Sequence, residues 1–313
     1  MTVAVLKGGR SLERNVSLRS GARVEDALER LGHHVVGIDV GADLIARLGK
    51  ESPDVAFVAL HGRDGEDGTV QELLEIVGIP YTGSGVSACI RCSDKVLAKH
   101  LMRDAGLPTP DFYGFNETAF RELGAAAALE AIEERLTFPI VVKPAGQGSA
   151  LGIKFARTPA EVPAALVAAF SYDRKVLLER YVAGRDLAIS VVDGEPLPIV
   201  EAVPRDEDFY DFAARYTIGR TDFVCPAELG PEDTARAQAL AREVWELFGC
   251  AGFARVDLMC DRETGTLEVL EVNSVPGLTE TSLLPLAADA AGMGFDDFVA
   301  RVVELALSEA ATA

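Results

Sequence analysis

The chain has 313 residues, of which 49% are hydrophobic and 25% are charged, and its formal net charge is −19. At ~150 residues per domain this length predicts about two domains, with three small ones as the alternative. The acidic balance argues against nucleic acid or an anionic membrane as the main partner, because both attract basic surfaces. No apolar run reaches the ~18–20 residues of a membrane span and no leader precedes the first apolar strand, so we expect a soluble, cytoplasmic protein.

The first part of the chain alternates strand-like and helix-like segments. Short apolar runs predict strands over residues 3–6, 34–39 and 55–60. An amphipathic period predicts a helix over 15–31, ended by Gly32. This order predicts a parallel sheet with helices on both faces. Because the first turn lacks G-x-G-x-x-G, a dinucleotide site is disfavoured.

A second unit is predicted to begin near residue 94, and a glycine-rich loop over 144–152 lies within it. Thr158 is expected to cap a helix that has a proline at its first position and Glu161 in a capping box. The other elements predicted for this unit are helices over 94–105 and 117–135, a helix that ends near 170, and strands over 138–143, 153–156 and 176–181.

From residue 186 the pattern favours antiparallel strands. Strands over 187–192 and 197–200 flank an Asp-Gly turn, which is typical of a hairpin. Residues 204–222 show little periodicity, and so long a stretch is usually a functional loop or lid. The remaining predicted elements are a helix over 231–248, a hairpin of strands 253–259 and 266–272, and two short helices.

The five cysteines lie in apolar settings, which predicts reduced thiols in the core. Cys89 and Cys92 have the spacing of a metal or redox pair, but no second such pair or paired histidines lie near them. Helix packing is therefore the preferred interpretation of these two residues, and zinc or redox use is the alternative.

The second hairpin carries the strongest chemical pattern in the chain. Alternation along a strand places Arg255 and Asp257 on one face, and Glu271 and Asn273 on one face of the partner strand. Carboxylate and amide oxygens are the ligands that Mg²⁺ needs, with nucleotide phosphates completing the coordination. The alternative is an ordinary polar face, but the neighbouring residues Leu258, Met259, Val269, Leu270 and Val272 are expected to be buried.

Two loops add weaker signals. Lys143 precedes the glycine-rich loop, and a lysine beside flexible backbone N–H donors suits phosphates, although the order is not that of a Walker A loop. The stretch His61–Gly68 holds three acids and three glycines directly after a strand, at the sheet edge where α/β ligands bind. A solvated turn and a structural His61 are the alternatives.

Taken together, the segments resemble the D-alanine–D-alanine ligases of the ATP-grasp superfamily nearly end to end. The resemblance implies the α/β fold class. It implies an ATP-grasp fold that follows an N-terminal Rossmann-like domain with a parallel sheet. It implies three units: residues 1–93 bind the first substrate, residues 94–184 form the central unit, and residues 185–313 form the last unit, which includes a lid over 204–222. The motifs that carry it are Gly8–Ser17, His61–Gly68, Tyr81–Gly85, Asp94-Lys95, Phe209–Tyr216 and Glu271–Gly277.

The resemblance implies the ATP-dependent ligation of two D-alanines for peptidoglycan precursors, with ATP as co-substrate, two Mg²⁺ or Mn²⁺ ions and a homodimer. It implies catalytic roles for Glu13, Ser149, Tyr216, Arg255 and Gly277. It implies substrate contacts by Glu13, His61, Ser282 and the Leu283 N–H, and metal ligation by Asp257, Glu271 and Asn273. The implied ATP-binding residues are Lys95, Lys143, Glu179, Arg180, Tyr181, Val182, Asp186, Phe209, Arg215, Met259 and Leu270.

In the implied mechanism a carboxylate oxygen attacks the γ-phosphorus to give an acyl phosphate, which the amine of the second D-alanine then attacks. Arg255 and the Gly277 N–H would hold the oxyanion of the tetrahedral intermediate. Glu13, Ser149 and Tyr216 would carry the amine proton away. Closure of the lid would exclude water from the acyl phosphate.

Four residues depart from the family's commonest pattern: Arg215 and Arg180 replace lysines, Ala150 a serine and Thr281 a histidine. These changes leave the proposed metal ligands and Arg255 in place, so an active enzyme is expected and a non-catalytic nucleotide-binding module is the weaker alternative. A ligase for another second substrate, such as D-lactate or D-serine, is the nearer alternative. Tyr216 favours D-alanine, because relatives that prefer D-lactate usually replace this tyrosine.

Overall fold

A computed structural model describes most of the chain. The described residues are 1–124, 127, 129–204 and 221–310. The predicted loop over 204–222 therefore lies almost wholly outside the described residues, and so do Phe209, Arg215 and Tyr216.

The N-terminal unit is a parallel sheet with helices on both faces, as predicted. Its strands are β1 (Thr2–Lys7), β2 (His34–Asp39) and β3 (Val55–Val58), in the order β2-β1-β3. Its helices are α1 (Arg14–Arg30), α2 (Leu44–Glu51) and α3 (Thr69–Val77). Apolar side chains of α1 lie in one core, and those of α2 and α3 lie in a separate core on the other side of the sheet.

Two helices, α4 (Val86–Ser93) and α5 (Lys95–Asp104), lead to a second sheet. The Asp94 side chain caps α5 by accepting hydrogen bonds from the N–H groups of Val96 and Leu97. Cys89 and Cys92 are buried in α4, as helix packing requires, and the described cysteines form no disulfide.

The second sheet is antiparallel throughout, with the order β4-β7-β5-β6. Its strands are β4 (Phe112–Asn116), β5 (Ile140–Pro144), β6 (Lys154–Ala156) and β7 (Lys175–Arg180). Antiparallel pairing therefore begins well before residue 186, where the sequence predicted it. These strands pack on the helices α6 (Glu117–Arg121), α7 (Leu129–Leu136) and α8 (Val162–Phe170).

Two local predictions for this unit are wrong. The single helix over 117–135 is divided into α6 and α7, and Gly124 between them has φ +76°, which no right-handed helix accommodates. Thr158 makes no capping hydrogen bond; a single 3₁₀ turn precedes α8, and the Glu161 carboxylate accepts from the Arg157 N–H at 2.8 Å.

The third sheet has the order β11-β10-β8-β12-β13, with β9 paired to β8. Its strands are β8 (Gly184–Val192), β9 (Glu195–Pro196), β10 (Val200–Pro204), β11 (Thr221–Val224), β12 (Phe253–Asp261) and β13 (Leu267–Asn273). The strand predicted over 197–200 instead becomes β9 and β10, because Pro198 has no N–H to donate to a ladder. The helix α9 (Pro231–Phe248) has the predicted bounds.

The chain's last described helices, α10 (Leu283–Ala290) and α11 (Phe295–Ala310), return to the N-terminal sheet. Phe298 and Val302 of α11 share a core with Val24 and Leu28 of α1. This core therefore joins the two ends of the chain. Across the described ranges, no helix combines the length and apolar character needed to cross a membrane.

Candidate active site

A cavity of about 810 Å³ lies where the three sheets meet. Side chains from distant parts of the sequence line it, among them Glu13, Lys95, Ser149, Arg255, Glu271 and Ser282. Of the sequence-predicted catalytic, substrate and metal residues that the structure describes, all except Asp257 line this one space.

The hairpin of β12 and β13 presents its polar side chains as alternation predicted. Asp257 lies opposite Glu271 in the ladder, and Arg255 lies opposite Asn273. Arg255 donates to both oxygens of Asp257, at 2.6 and 2.7 Å, and Lys95 Nζ lies 3.0 Å from Glu271 Oε2. The two carboxylates are thus compensated by two cations, which satisfies the requirement of buried charge for a partner.

The same hairpin carries the donor atoms that suit a hard metal ion. Asp257, Glu271 and Asn273 offer only oxygen donors besides the amide nitrogen, which is the chemistry that Mg²⁺ selects. Within the described part of the chain, no three His, Cys, Asp or Glu side chains converge as a ready-made metal cage. The donor set fits an ion that takes the rest of its ligands from phosphate and water.

A β-bulge interrupts the hairpin ladder between Asp257 and Leu258. Leu258 pairs with Val269, so Leu270 is the extra residue of β13. Met259 and Leu270 are half-buried, whereas the sequence predicted that they are buried. Both side chains are thus partly accessible, as walls for an apolar ring would need to be.

Glu13 occupies the N-cap position of α1 and is only 5% exposed. The Ser149 hydroxyl donates to its Oε1. A Cβ added at Gly62 or Gly148 would lie 2.6 or 2.7 Å from Glu13 Oε2, so these glycines form a slot for the carboxylate. Burial, together with the nearby charge of Glu66, raises the pKa of Glu13 to about 7. This carboxyl group is therefore able to exchange a proton near neutrality.

The glycine-rich loop is held by neighbouring side chains. The Gly146 N–H donates to Asp173 at 2.6 Å, and Lys95 Nζ donates to the Gln147 carbonyl at 2.8 Å. Ser149 and Ala150 both adopt the left-handed region, with φ of 52° and 57°, which is costly for residues other than glycine. This backbone carries the Ser149 hydroxyl to Glu13.

Glu179, at the end of β7, lies between two lysines. Lys143 donates to its Oε1, and Lys99 Nζ lies 2.6 Å from its Oε2. The two lysines lower the pKa of Glu179 despite its complete burial. Sequence reasoning missed Lys99, although two signals pointed to it: it is one of seven lysines, and it follows Lys95 by four residues on a helix.

The other residues predicted to surround adenine lie on β7, β8 and the segment between them. Arg180 Nη2 lies 2.6 Å from both oxygens of Glu268 on β13, and the Tyr181 ring meets Phe155 edge-on. Val182 is buried, and Asp186 of β8 pairs with Met259 in the ladder. The structure therefore brings the described members of this set to one region.

His61 is 3% exposed, and both of its ring nitrogens meet protein groups. Nδ1 lies 3.1 Å from the Val275 carbonyl, and Nε2 lies 2.8 Å from the Ser20 hydroxyl. Ser20, which sequence reasoning missed, also accepts from the Leu278 N–H at 3.1 Å. With a proton on Nδ1, His61 and Ser20 together hold the loop that begins after Asn273.

That loop brings the remaining predicted residues to the cavity. A Cβ on Gly277 would lie 2.7 Å from Ser282 Oγ, so any other residue there would have to displace the Ser282 hydroxyl. Ser282 accepts from the Thr279 N–H at 3.0 Å, and Leu283 is the first residue of α10. The N–H groups of a first helical turn have no partner within the helix, which suits a carboxylate.

Comparison with known proteins agrees with this geometry. Family models described as "D-ala D-ala ligase C-terminus" and "D-ala D-ala ligase N-terminus" match residues 101–304 and 45–84. A D-alanine--D-alanine ligase of Syntrophotalea carbinolica is 46% identical over 96% of this chain and 94% of its own length. One from Moorella thermoacetica is 43% identical over 98% of this chain and 99% of its own.

Solved structures give the same result. The D-alanine--D-alanine ligase of Bacillus anthracis superposes with a TM-score of 0.87 at 33% identity, covering 100% of this chain and 99% of that one. The same protein complexed with ATP gives 0.85 at 33% identity, covering 100% and 98%. The fold is that of an ATP-dependent ligase, as the sequence predicted, and the chain belongs to the D-alanine–D-alanine ligase family.

Proposed function

We propose that the protein joins two D-alanines, with ATP converted to ADP and phosphate, to supply the D-alanyl-D-alanine of peptidoglycan precursors. The observation that carries this proposal is the buried contact between Glu13 and Ser149 at the cavity that Arg255 and Glu271 also line. An acyl-phosphate ligase needs four kinds of group in one place: an ionisable carboxyl, a hydroxyl, a guanidinium and a hairpin that carries acid and amide side chains.

In this proposal ATP lies between the second and third sheets. Lys95 and Lys143 hold its phosphates, and adenine meets Glu179 and the segment from Arg180 to Val182. Met259 and Leu270 form apolar walls, and Asp186 holds the ribose. The half-burial of Met259 and Leu270 beside the bulge supports these wall positions. Phe209 and Arg215 stay predictions, since they lie outside the described residues.

The proposal includes two Mg²⁺ or Mn²⁺ ions held by Asp257, Glu271 and Asn273. Such ions neutralise charge on the transferring phosphoryl group. Asp257 and Glu271 are balanced here by Arg255 and Lys95. A triphosphate would draw Lys95 toward itself and leave Glu271 for a metal ion, so nucleotide and metal are expected to bind together.

The remaining steps fall to the chain's own groups. Glu13 faces the ammonium of the first D-alanine, while Ser282 and the Leu283 N–H take the carboxylate of the second. Arg255 and the Gly277 N–H stabilise the oxyanion, and Ser149 passes the amine proton toward Glu13 with Tyr216 as a further member. His61 acts on the substrate site through the Val275 carbonyl that it contacts.

The proposal also covers the cellular compartment, the division into units and the oligomeric state. A cytoplasmic location fits the described cysteines, which are all unpaired thiols, because disulfides are rare in that compartment. The units 1–93, 94–184 and 185–313 each contain one sheet, apart from the first residue of β8. A homodimer would cover apolar side chains such as Ile76, which is 72% exposed on α3.

The test is phosphate release from ATP and Mg²⁺ with D-alanine, with L-alanine, or with D-alanine and D-lactate together, and identification of the products by mass. We expect turnover only where D-alanine is present and D-alanyl-D-alanine as the product. A depsipeptide would keep the mechanism and change the second substrate. Tight ATP binding without turnover on any substrate would refute the proposed reaction.

The metal assignment has its own test. Glu271→Gln keeps the size of the side chain but removes a charge, and we expect turnover to be abolished while the thermal unfolding curve stays cooperative. The matched control is Glu263→Gln, a change at an exposed position in the hairpin turn. Near wild-type turnover in Glu271→Gln would contradict the assignment.

A further inference from the structure

Lys99 is a buried lysine that the proposed mechanism does not use. It lies on α5 one helical turn after Lys95 and is 0% exposed. Its ammonium group lies 2.6 Å from Glu179 Oε2, donates to the Thr109 hydroxyl at 2.5 Å and donates to the Pro110 carbonyl at 3.3 Å. Thr109 and Pro110 therefore accept two of its three hydrogens, and the contact with Glu179 is an ion pair.

The charges of this cluster are unequal. Two lysines, Lys99 and Lys143, meet one carboxylate, Glu179. Lys143 lies in β5, the strand that leads into the glycine-rich loop, and its side chain is 10% exposed against 0% for Lys99, so it is the lysine of the two that a phosphate can draw toward itself. Lys99 has no such freedom, because it is enclosed and held by Thr109 and Pro110. Once Lys143 has turned away, Lys99 alone would keep the Glu179 carboxylate ionised.

Lys99 is also fixed from behind by the third sheet. The Thr109 hydroxyl donates to the Val269 carbonyl at 2.7 Å, and the Val269 N–H donates to the Pro108 carbonyl at 2.9 Å. The connection between α5 and β4 is thereby attached to β13. The position of the ammonium group is consequently determined by both sheets that flank the nucleotide.

We propose that Lys99 is a positioning residue for nucleotide recognition, which holds Glu179 as an ionised acceptor with Oε1 free for the 6-amino group of adenine. The inference rests on the proposed function for the location of the nucleotide. Adenine carries an N–H donor at position 6, whereas guanine carries an acceptor there. An ionised carboxylate therefore selects adenine and repels guanine. A carboxyl group that is protonated or rotated away discriminates less between the two bases.

The test compares two ligands that differ only at position 6: ATP and purine riboside 5′-triphosphate, which lacks the amino group. Affinities are measured by calorimetry with Mg²⁺ and without D-alanine, on the full chain and on Lys99→Met. We expect the wild type to bind ATP about tenfold or more tightly than the analogue, as a hydrogen bond to a charged acceptor allows, and the variant to bind both within about twofold. Loss of a phosphate contact would weaken both ligands equally and leave the ratio unchanged.

Lys7→Met is the matched control, because Lys7 also forms a half-buried pair with a glutamate, Glu25, at 2.5 Å, but in the N-terminal sheet. It should keep the wild-type ratio. If Lys99→Met does not fold, Thr109→Val removes one anchor of Lys99 without touching Glu179, and the ratio should fall in the same direction by a smaller factor.

The inference would be overturned if Lys99→Met kept the wild-type ratio of the two affinities, or if Thr109→Val kept it where that variant is used instead. It would also be overturned if the wild type bound the two ligands equally. Failure to make a dipeptide would instead refute the proposed reaction. The binding ratios are measured without D-alanine, so they still decide the role of Lys99 in that case.

Discussion

Two buried glutamates at the candidate active site have opposite acid–base properties. Glu13, at the junction of α1 and the glycine-rich loop, has a pKa raised to about 7, whereas the pKa of Glu179, at the end of β7, is lowered. Both side chains are nearly inaccessible, so burial alone does not explain the difference. Glu13 has a hydroxyl donor and a neighbouring acid, whereas Glu179 has two ammonium groups within contact distance.

The comparison shows how different neighbours suit one residue type to the two tasks proposed for it. A carboxyl group with a pKa near neutrality exchanges protons during turnover, and a carboxylate kept ionised is a constant acceptor for a ligand. The neighbours decide which task results: Glu66 opposes ionisation of Glu13, and Lys99 and Lys143 favour ionisation of Glu179. A change at Glu13 should therefore affect the reaction of D-alanine, and a change at Glu179 should affect the binding of ATP.

The largest effect is expected from Glu13→Gln. It removes the group proposed to take the proton, so kcat with D-alanine should fall by about 10²–10⁴-fold while the affinity for ATP changes little. Steady-state kinetics and a separate ATP titration measure the two quantities. Glu29→Gln, an exposed change on the same helix, is the control and should be neutral. A comparable loss of ATP affinity in Glu13→Gln would remove the distinction between the two glutamates.

The second prediction concerns stability and pH. Because Glu13 has a pKa of about 7 when folded and 4.5 ordinarily, the folded state holds the extra proton between these values. Its contribution to stability therefore falls as the pH rises through this window. Relative to the wild type, Glu13→Gln should gain about 2 kcal/mol of unfolding free energy between about pH 5.5 and 8. Urea unfolding at both pH values measures the difference.

The corresponding change at Glu179 should behave in the opposite way. The lowered pKa of Glu179 stabilises the folded state above its ordinary pKa, and this contribution is lost only as the pH falls through the folded value. Glu179→Gln should therefore be less stable than the wild type at both pH values used for Glu13→Gln. A gain in stability for Glu179→Gln as the pH rises would contradict the proposed difference in ionisation.

A third effect is expected on nucleotide affinity. Glu179→Gln keeps an acceptor oxygen but loses the charge, so KM for ATP should rise by about 10–100-fold with a smaller change in kcat. Glu228→Gln, a change at an exposed glutamate before α9, is a control that should leave KM unchanged. If kcat rather than KM falls in Glu179→Gln, this carboxylate takes part in the reaction instead of in nucleotide binding.

The smallest effect is the shift of the pH profile expected in Ser149→Ala, which is separate from any loss of kcat through the proton relay. The Ser149 hydroxyl lowers the pKa of Glu13, so its removal should shift the acidic limb of the kcat/KM profile for D-alanine upward by roughly half a pH unit to one unit. Ser87→Ala, an exposed change on α4, should leave the profile unchanged. An unshifted limb in Ser149→Ala would mean that the limb reports another group.

Much of the fold was predictable because local patterns and tertiary structure agree. The strand His34–Asp39 and the helix Pro231–Phe248 have the predicted bounds, since clear apolar periods and flanking glycines mark them. Two of the predictions that were wrong depended on single positions. Gly124 divides a predicted helix, and Pro198 interrupts a predicted strand.

The sequence by itself determined which residue types the site has and which of them share a strand face. Alternation with a period of two brings Asp257 and Glu271 onto one surface wherever the hairpin lies, and the motifs indicated the family. Both inferences rest on local geometry, which a few neighbouring residues specify.

Only the tertiary structure decided what surrounds those residues. The approach of α5 to β7 brings Lys99 to Glu179, and the approach of the glycine-rich loop to α1 brings Ser149 to Glu13. Likewise, α11 completes the core that α1 begins. The physical reason is that a pKa or an ion pair depends on distance and burial in space, and residues 80 to 136 positions apart acquire both only when the chain has folded.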